Sequence, residues 1–226
     1  MNESDRRIDG WAEQLRGLAA PALAGTPLES GADRSRAGAF VGAFADSRGH
    51  RRAVDRPLLA RMLAVDPGPS PDDATPEARL WWALHTPDAN PWAIIDPGPG
   101  APLLASRRRG IIETDTESEL SALHALWHHA AERRCPRLLD RCLRAARSLI
   151  DETQPDNATG HPWAVHVFVM LAVLRDAMDA ELYAQTLVHN ALVGEGRVER
   201  FSACLLHDAA AALQRQPRIG AAIGAR

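Results

Sequence analysis

Lysine is missing from this chain: all 26 basic side chains among its 226 residues are arginine. Without an ε-amine, neither Schiff-base catalysis nor a lysine-dependent phosphate loop is open to it. A surplus of positive charge is missing as well. The formal net charge is −3, which gives no electrostatic basis for nucleic-acid binding. No stretch approaches the roughly 20 apolar residues that span a bilayer. The opening residues, MNESDRRIDG, lack the apolar run of a signal peptide. Cysteine is scarce. Cys135, Cys142 and Cys204 are odd in number and show no CxxC spacing, so they read as reduced thiols of a helical core. The expected compartment is the cytoplasm, with neither nucleic acid nor membrane as partner.

What is present is an ordinary globular composition. Apolar residues make up 46%, enough in a chain of this length for one domain with a sizeable core. The two halves differ. Residues 1–115 are rich in Pro and Gly and broken into short segments. Periodic apolar residues predict helices over 5–20, 36–46 and 56–65, and Thr75 followed by Pro76 predicts a capped helix start. From 86 to 115 the pattern is lost. Ala93–Ile95 and Gly110–Ile112 are expected to pair as a small hairpin, within a loop held down by Trp92, Ile94, Ile95, Leu103 and Leu104.

Residues 116–215 read as nearly continuous helix. Thr116 and Glu119 suggest a capping box opening a helix that runs to Arg133. Further helices are expected over 136–152, 162–175, 180–193 and 197–215, with a frayed tail from 216. Short connections imply antiparallel neighbours. The predicted fold class is all-α: antiparallel helical hairpins around a buried central helix, with an irregular Pro/Gly-rich N-terminal half. That central helix is the one opening at Pro162, whose run WAVHVFVMLAVL is apolar all round.

Placed at 100° per residue, His124 falls inside the apolar stripe of its helix, His128 falls at the edge, and His129 points to water. His124 and His128 have the i, i+4 spacing that metal sites use, but no third ligand is assignable. No metal site and no cofactor is therefore assigned. His166 shares a face with Trp163 and must find a partner or line a cavity. Residues 182–194 carry no formal charge. Gln185, Thr186, His189 and Asn190 form the polar side of that helix, and such a side is expected to be covered by a partner or by a cavity. His207 and Asp208 form a doublet like that of the His-Asp phosphohydrolases. The doublet lacks a suitably distant upstream histidine and a following aspartate, and His207 lies off the apolar face.

The segments TESELSALHALWHHA and QPDNATGHPWAVHVF, with the basic helix between them, resemble uncharacterised helical proteins of bacteria such as planctomycetes. The resemblance spans about 113–215 and implies no activity. The paired helices are also similar, at the level of fold, to α/α-toroid proteins.

The functional expectation is a non-catalytic interaction or scaffold protein that self-associates or binds a protein partner. The alternative is an enzyme or small-molecule binder, for instance of a sugar, with a pocket between helices. Trp163, His166, Gln185, Thr186, His189 and Asn190 would line it. His124, His166, His189 and Glu119 would be its candidate catalytic groups. A histidine-coordinated metal protein is a further alternative.

Overall fold

The computed structural model describes residues 2–96, 98, 102–104, 112–153, 160–192 and 196–215. Among these the chain is all-helical. It comprises α1 (Glu3–Leu23), α2 (Ala37–Ala43), α3 (Asp55–Leu63), α4 (Pro76–Ala83), a 3-10 turn at Pro91–Ala93, α5 (Ile112–Glu132), α6 (Pro136–Glu152), α7 (Val165–Arg175), α8 (Met178–Leu192) and α9 (Arg200–Arg215). No described helix is long and apolar enough to cross a membrane.

The helix starts follow their local chemistry. Asn2 and Asp5 form a reciprocal capping box at α1, and Thr75 Oγ1 accepts the Ala78 amide at the start of α4, where Pro76 follows the cap. Pro136 likewise opens α6. In α6 the buried Leu138, Cys142, Ala145, Ala146 and Leu149 recur at helical spacing and form one inward stripe. The central helix is α7. Every residue from Val165 to Ala172 is buried, and α7 packs against α1, α5, α6, α8 and α9. Because an all-apolar helix has no face that prefers water, it takes the position enclosed by the others.

Three local expectations are corrected. Thr116 and Glu119 do not cap a helix. Helix α5 begins earlier, at Ile112, so both lie inside it and both are buried. The Glu119 carboxylate instead accepts the Leu103 and Leu104 amides at 2.7 and 2.8 Å, fastening the preceding segment to α5. Ala93–Ile95 is not a strand, because Pro91 and the Asn90 side-chain cap wind it into a 3-10 turn. The other half of that expected hairpin, and the tail from 216, lie outside the described residues. Last, α7 starts at Val165, not Pro162. Ala164 adopts a left-handed backbone at φ 53°, and residues 161–164 form a turn before the helix.

Candidate metal centre

Two helices bring three imidazoles together in the core, and a third sets a carboxylate against two of them. His124 and His128 stand one turn apart on α5, His166 projects from α7 and Asp208 from α9. All four side chains are buried. The ring centroids of His124 and His166 lie 4.4 Å apart, and those of His124 and His128 5.2 Å apart. One ligand-capable atom from each histidine lies within 4.8 Å of the other two. Trp81, Trp127 and Trp163 pack around the rings and close the cluster to solvent.

Asp208 is the hub. Its Oδ2 accepts from His128 Nε2 at 2.6 Å and from His124 Nε2 at 3.2 Å. Its Oδ1 accepts from Arg61 Nη1, on α3, at 3.1 Å. A buried carboxylate is tolerated when hydrogen-bonded and paired in this way. His124 is engaged on both sides, because its Nδ1 accepts the backbone N–H of Ala164 at 3.2 Å. That contact leaves the ring proton of His124 on Nε2, facing Asp208. His166 is the exception. Both of its ring nitrogens are buried and neither has a hydrogen-bond partner.

The electrostatics leave these groups ready to act as donors. Burial pushes all three imidazoles below the usual histidine range. For His128 the Arg61 charge adds to burial and brings the value down to about 3, and for His166 the neighbouring imidazoles add to it. Burial would raise the Asp208 carboxyl, but His128, Arg61 and the imidazole hydrogen bonds outweigh it and hold the group well below the carboxylate range. At neutral pH the centre therefore consists of three neutral imidazoles and one carboxylate, the protonation states that transition metals require.

The three imidazoles can supply nitrogen ligands to one ion, with Asp208 Oδ2 beside His124 and His128. Nitrogen ligands at about 2.0–2.1 Å from zinc stand about 3.3 Å from one another, so the three rings must draw in by about 1 Å apiece. Coordination replaces the two imidazole N–H contacts with Asp208. His166 has no hydrogen bond to give up and His128 only its contact with Asp208, but Asp208 also accepts from Arg61 through Oδ1, and His124 would join through Nε2 only by releasing the Ala164 amide from Nδ1.

A second polar cluster lies beyond Trp163, at the partly exposed end of the 161–164 turn. His161 Nδ1 lies 2.9 Å from Ser202 Oγ, Arg52 Nη2 donates to His161 Nε2 at 2.8 Å, and Glu117 Oε1 is 3.8 Å from the same nitrogen. The row Ser202–His161–Glu117 has the outline of a nucleophile, base and acid, but its protons are placed wrongly. An arginine always donates, so Nε2 must accept and the ring proton sits on Nδ1. That nitrogen donates to Ser202 and cannot take its proton. The cluster ties the turn to α9.

The remaining candidates are dispersed. His189 and Gln185 are exposed on the outer face of α8, and Thr186 and Asn190 are half-buried there. Helix α8 packs on α7 through the opposite side, Tyr183, Ala184, Leu187 and Val188. The structure thus brings His124, His166 and Trp163 together but not His189. The expected outward position of His129 is also corrected. It is buried, with Nε2 at 3.0 Å from the Leu80 carbonyl, because α4 covers that side of α5. The cluster recruits Asp208 but not His207. Asp208 was discoverable, since it lies among Phe201, Cys204, Leu205 and Ala212 on the apolar face of α9, where a lone carboxylate must find partners. A cleft of about 480 Å³ runs elsewhere, between α1 and the start of α9, lined by Leu18, Pro21, Leu192, Arg197, Glu199 and Arg200 among others. None of the three histidines lines it. Comparison with protein-family models, with curated proteins and with solved structures finds no match to this chain.

Proposed function

We propose that the chain is a helical metal-binding protein whose core is organised around a divalent transition-metal ion, zinc by donor chemistry, held by His124, His128, His166 and Asp208. The observation that carries this reading is His166. An imidazole buried with no hydrogen-bond partner costs about 1–3 kcal/mol, and an ion between the rings would remove that cost. With four protein donors, all of them buried, the ion would have no open position for a substrate. Its role is then to cross-link α5, α7 and α9, as structural zinc does. The three free thiols, Cys135, Cys142 and Cys204, fit a reducing compartment such as the cytoplasm.

Titration of chelator-treated protein with Co2+ tests the reading. One equivalent should give the intense visible bands of a tetrahedral site, and Zn2+ should bleach them. Absence of binding in the micromolar range would sink it.

A second reading rests on α8. Met178 is 77% and Leu182 55% exposed. With Gln185 and His189 they share one face at i, i+4, i+7 and i+11, free of charge. Such a face suits self-association or a protein partner. Light scattering that shows a monomer at all concentrations would remove the self-association form of this reading.

A further inference from the structure

The cluster contains one more charged group, and its placement suggests how the centre is regulated. Arg61 reaches inward from α3, nearly buried, and joins two carboxylates at different depths. Nη1 donates to Asp208 Oδ1 at 3.1 Å, while Nε and Nη2 donate to Glu132 Oε1 at 3.0 and 2.9 Å. Glu132 is half-exposed, at the end of α5. Arg61 thus spans from the surface to the hub of the centre.

We infer that Arg61 and the divalent cation are alternative counter-charges for Asp208, so that Arg61 sets the affinity of the centre for metal. This rests on the metal-binding reading above. The guanidinium is charged at all accessible pH values. Without an ion, and among the described residues, the Arg61 guanidinium is the full positive charge paired with Asp208, and with the imidazole hydrogen bonds it permits a buried anion there. With an ion present, the carboxylate is already neutralised, and Arg61 becomes a like charge within the same low-dielectric region. One group therefore stabilises the metal-free state and opposes the metal-bound state. By linkage, its loss must tighten metal binding and make the fold depend on metal. Glu132 gives the guanidinium a place to remain, at the surface, when Asp208 turns to the ion.

The test compares wild type, Arg61→Gln and Arg61→Lys by competition of Zn2+ against a chromophoric chelator, with melting followed in parallel in chelator and in Zn2+. Arg61→Gln should bind Zn2+ at least about tenfold more tightly than wild type, a difference equivalent to about 1.4 kcal/mol. It should melt lower in chelator and recover most of the loss in Zn2+. Arg61→Lys, which keeps the charge but loses the planar fork, should stay within about threefold of wild type. Equal or weaker binding by Arg61→Gln would make Arg61 a positioning residue for Asp208 and overturn the inference while leaving the metal centre intact. Failure of Arg61→Gln to fold even with Zn2+ would overturn it too, because the ion must be able to replace the charge. If wild type binds neither Zn2+ nor Co2+, the metal-binding reading itself falls.

Discussion

Replacing His166 by leucine separates a metal ligand from an ill-fitting core residue. The side chain is fully buried and both ring nitrogens lack partners. Leucine is of similar size and asks for no hydrogen bond. In metal-free protein the His166→Leu variant should therefore be more stable than wild type, by about 1–3 kcal/mol for the polar group no longer left unsatisfied. For a domain of this length each kcal/mol corresponds to about 2–4 °C in melting temperature. In Zn2+ at 100 times its dissociation constant, wild type should gain about 2.7 kcal/mol, while the variant, with a ligand removed, should gain little. The two melting curves are thus expected to change order, with the variant ahead in chelator and wild type level or ahead in Zn2+. Differential scanning calorimetry in each condition reads the outcome. If Zn2+ stabilises neither protein, or both equally, His166 is not a ligand and the reasoning is refuted.

Other perturbations probe the scaffold. Burial raises the Glu77 carboxyl from 4.5 to about 7, against weaker opposing hydrogen bonds from Ser121 and Ser118. Between those values the folded state holds a proton that the unfolded chain has lost, so this group's contribution to stability falls as pH rises from 4.5 to 7. Glu77→Gln should abolish that fall and be more stable than wild type at pH 8 by about 1–3 kcal/mol; urea melts at pH 5 and 8 that differ equally for both proteins would contradict it. The buried imidazoles act in the opposite direction. Their folded pKa values lie below 6.5, so the unfolded chain binds more protons and stability is lost as pH falls below about 6.5. His166→Leu should reduce the steepness of acid unfolding by about one proton. Glu119→Ala strands the Leu103 and Leu104 amides and should cost about 2–4 kcal/mol, read as faster hydrogen exchange at both amides; unchanged exchange would show that the segment is held by other contacts.

Much of the architecture could be read from the chain. The apolar run of α7 fixed it as the enclosed helix because no face of it prefers water. Thr75–Pro76 and Pro136 set the starts of α4 and α6 because a cap and a proline act through neighbouring residues alone. Where the reading failed, the missing information lay in other helices. Thr116 and Glu119 have the residue types of a capping box, yet Glu119 serves two amides that precede it in the chain by 16 and 15 residues. His129 points away from the stripe of its own helix, but α4 is packed there.

The site divides in the same way. The sequence by itself determined that His124 and His128 lie one turn apart and that His166 must sit inside an apolar helix, since helical periodicity is a property of each segment alone. Only the tertiary structure decided that those two helices turn their histidines toward one another. It also brought Asp208 and Arg61, 147 residues apart, into contact at that point. The packing of α5, α7, α9 and α3 depends on which apolar faces fit together across the whole core, and no single helix carries that information.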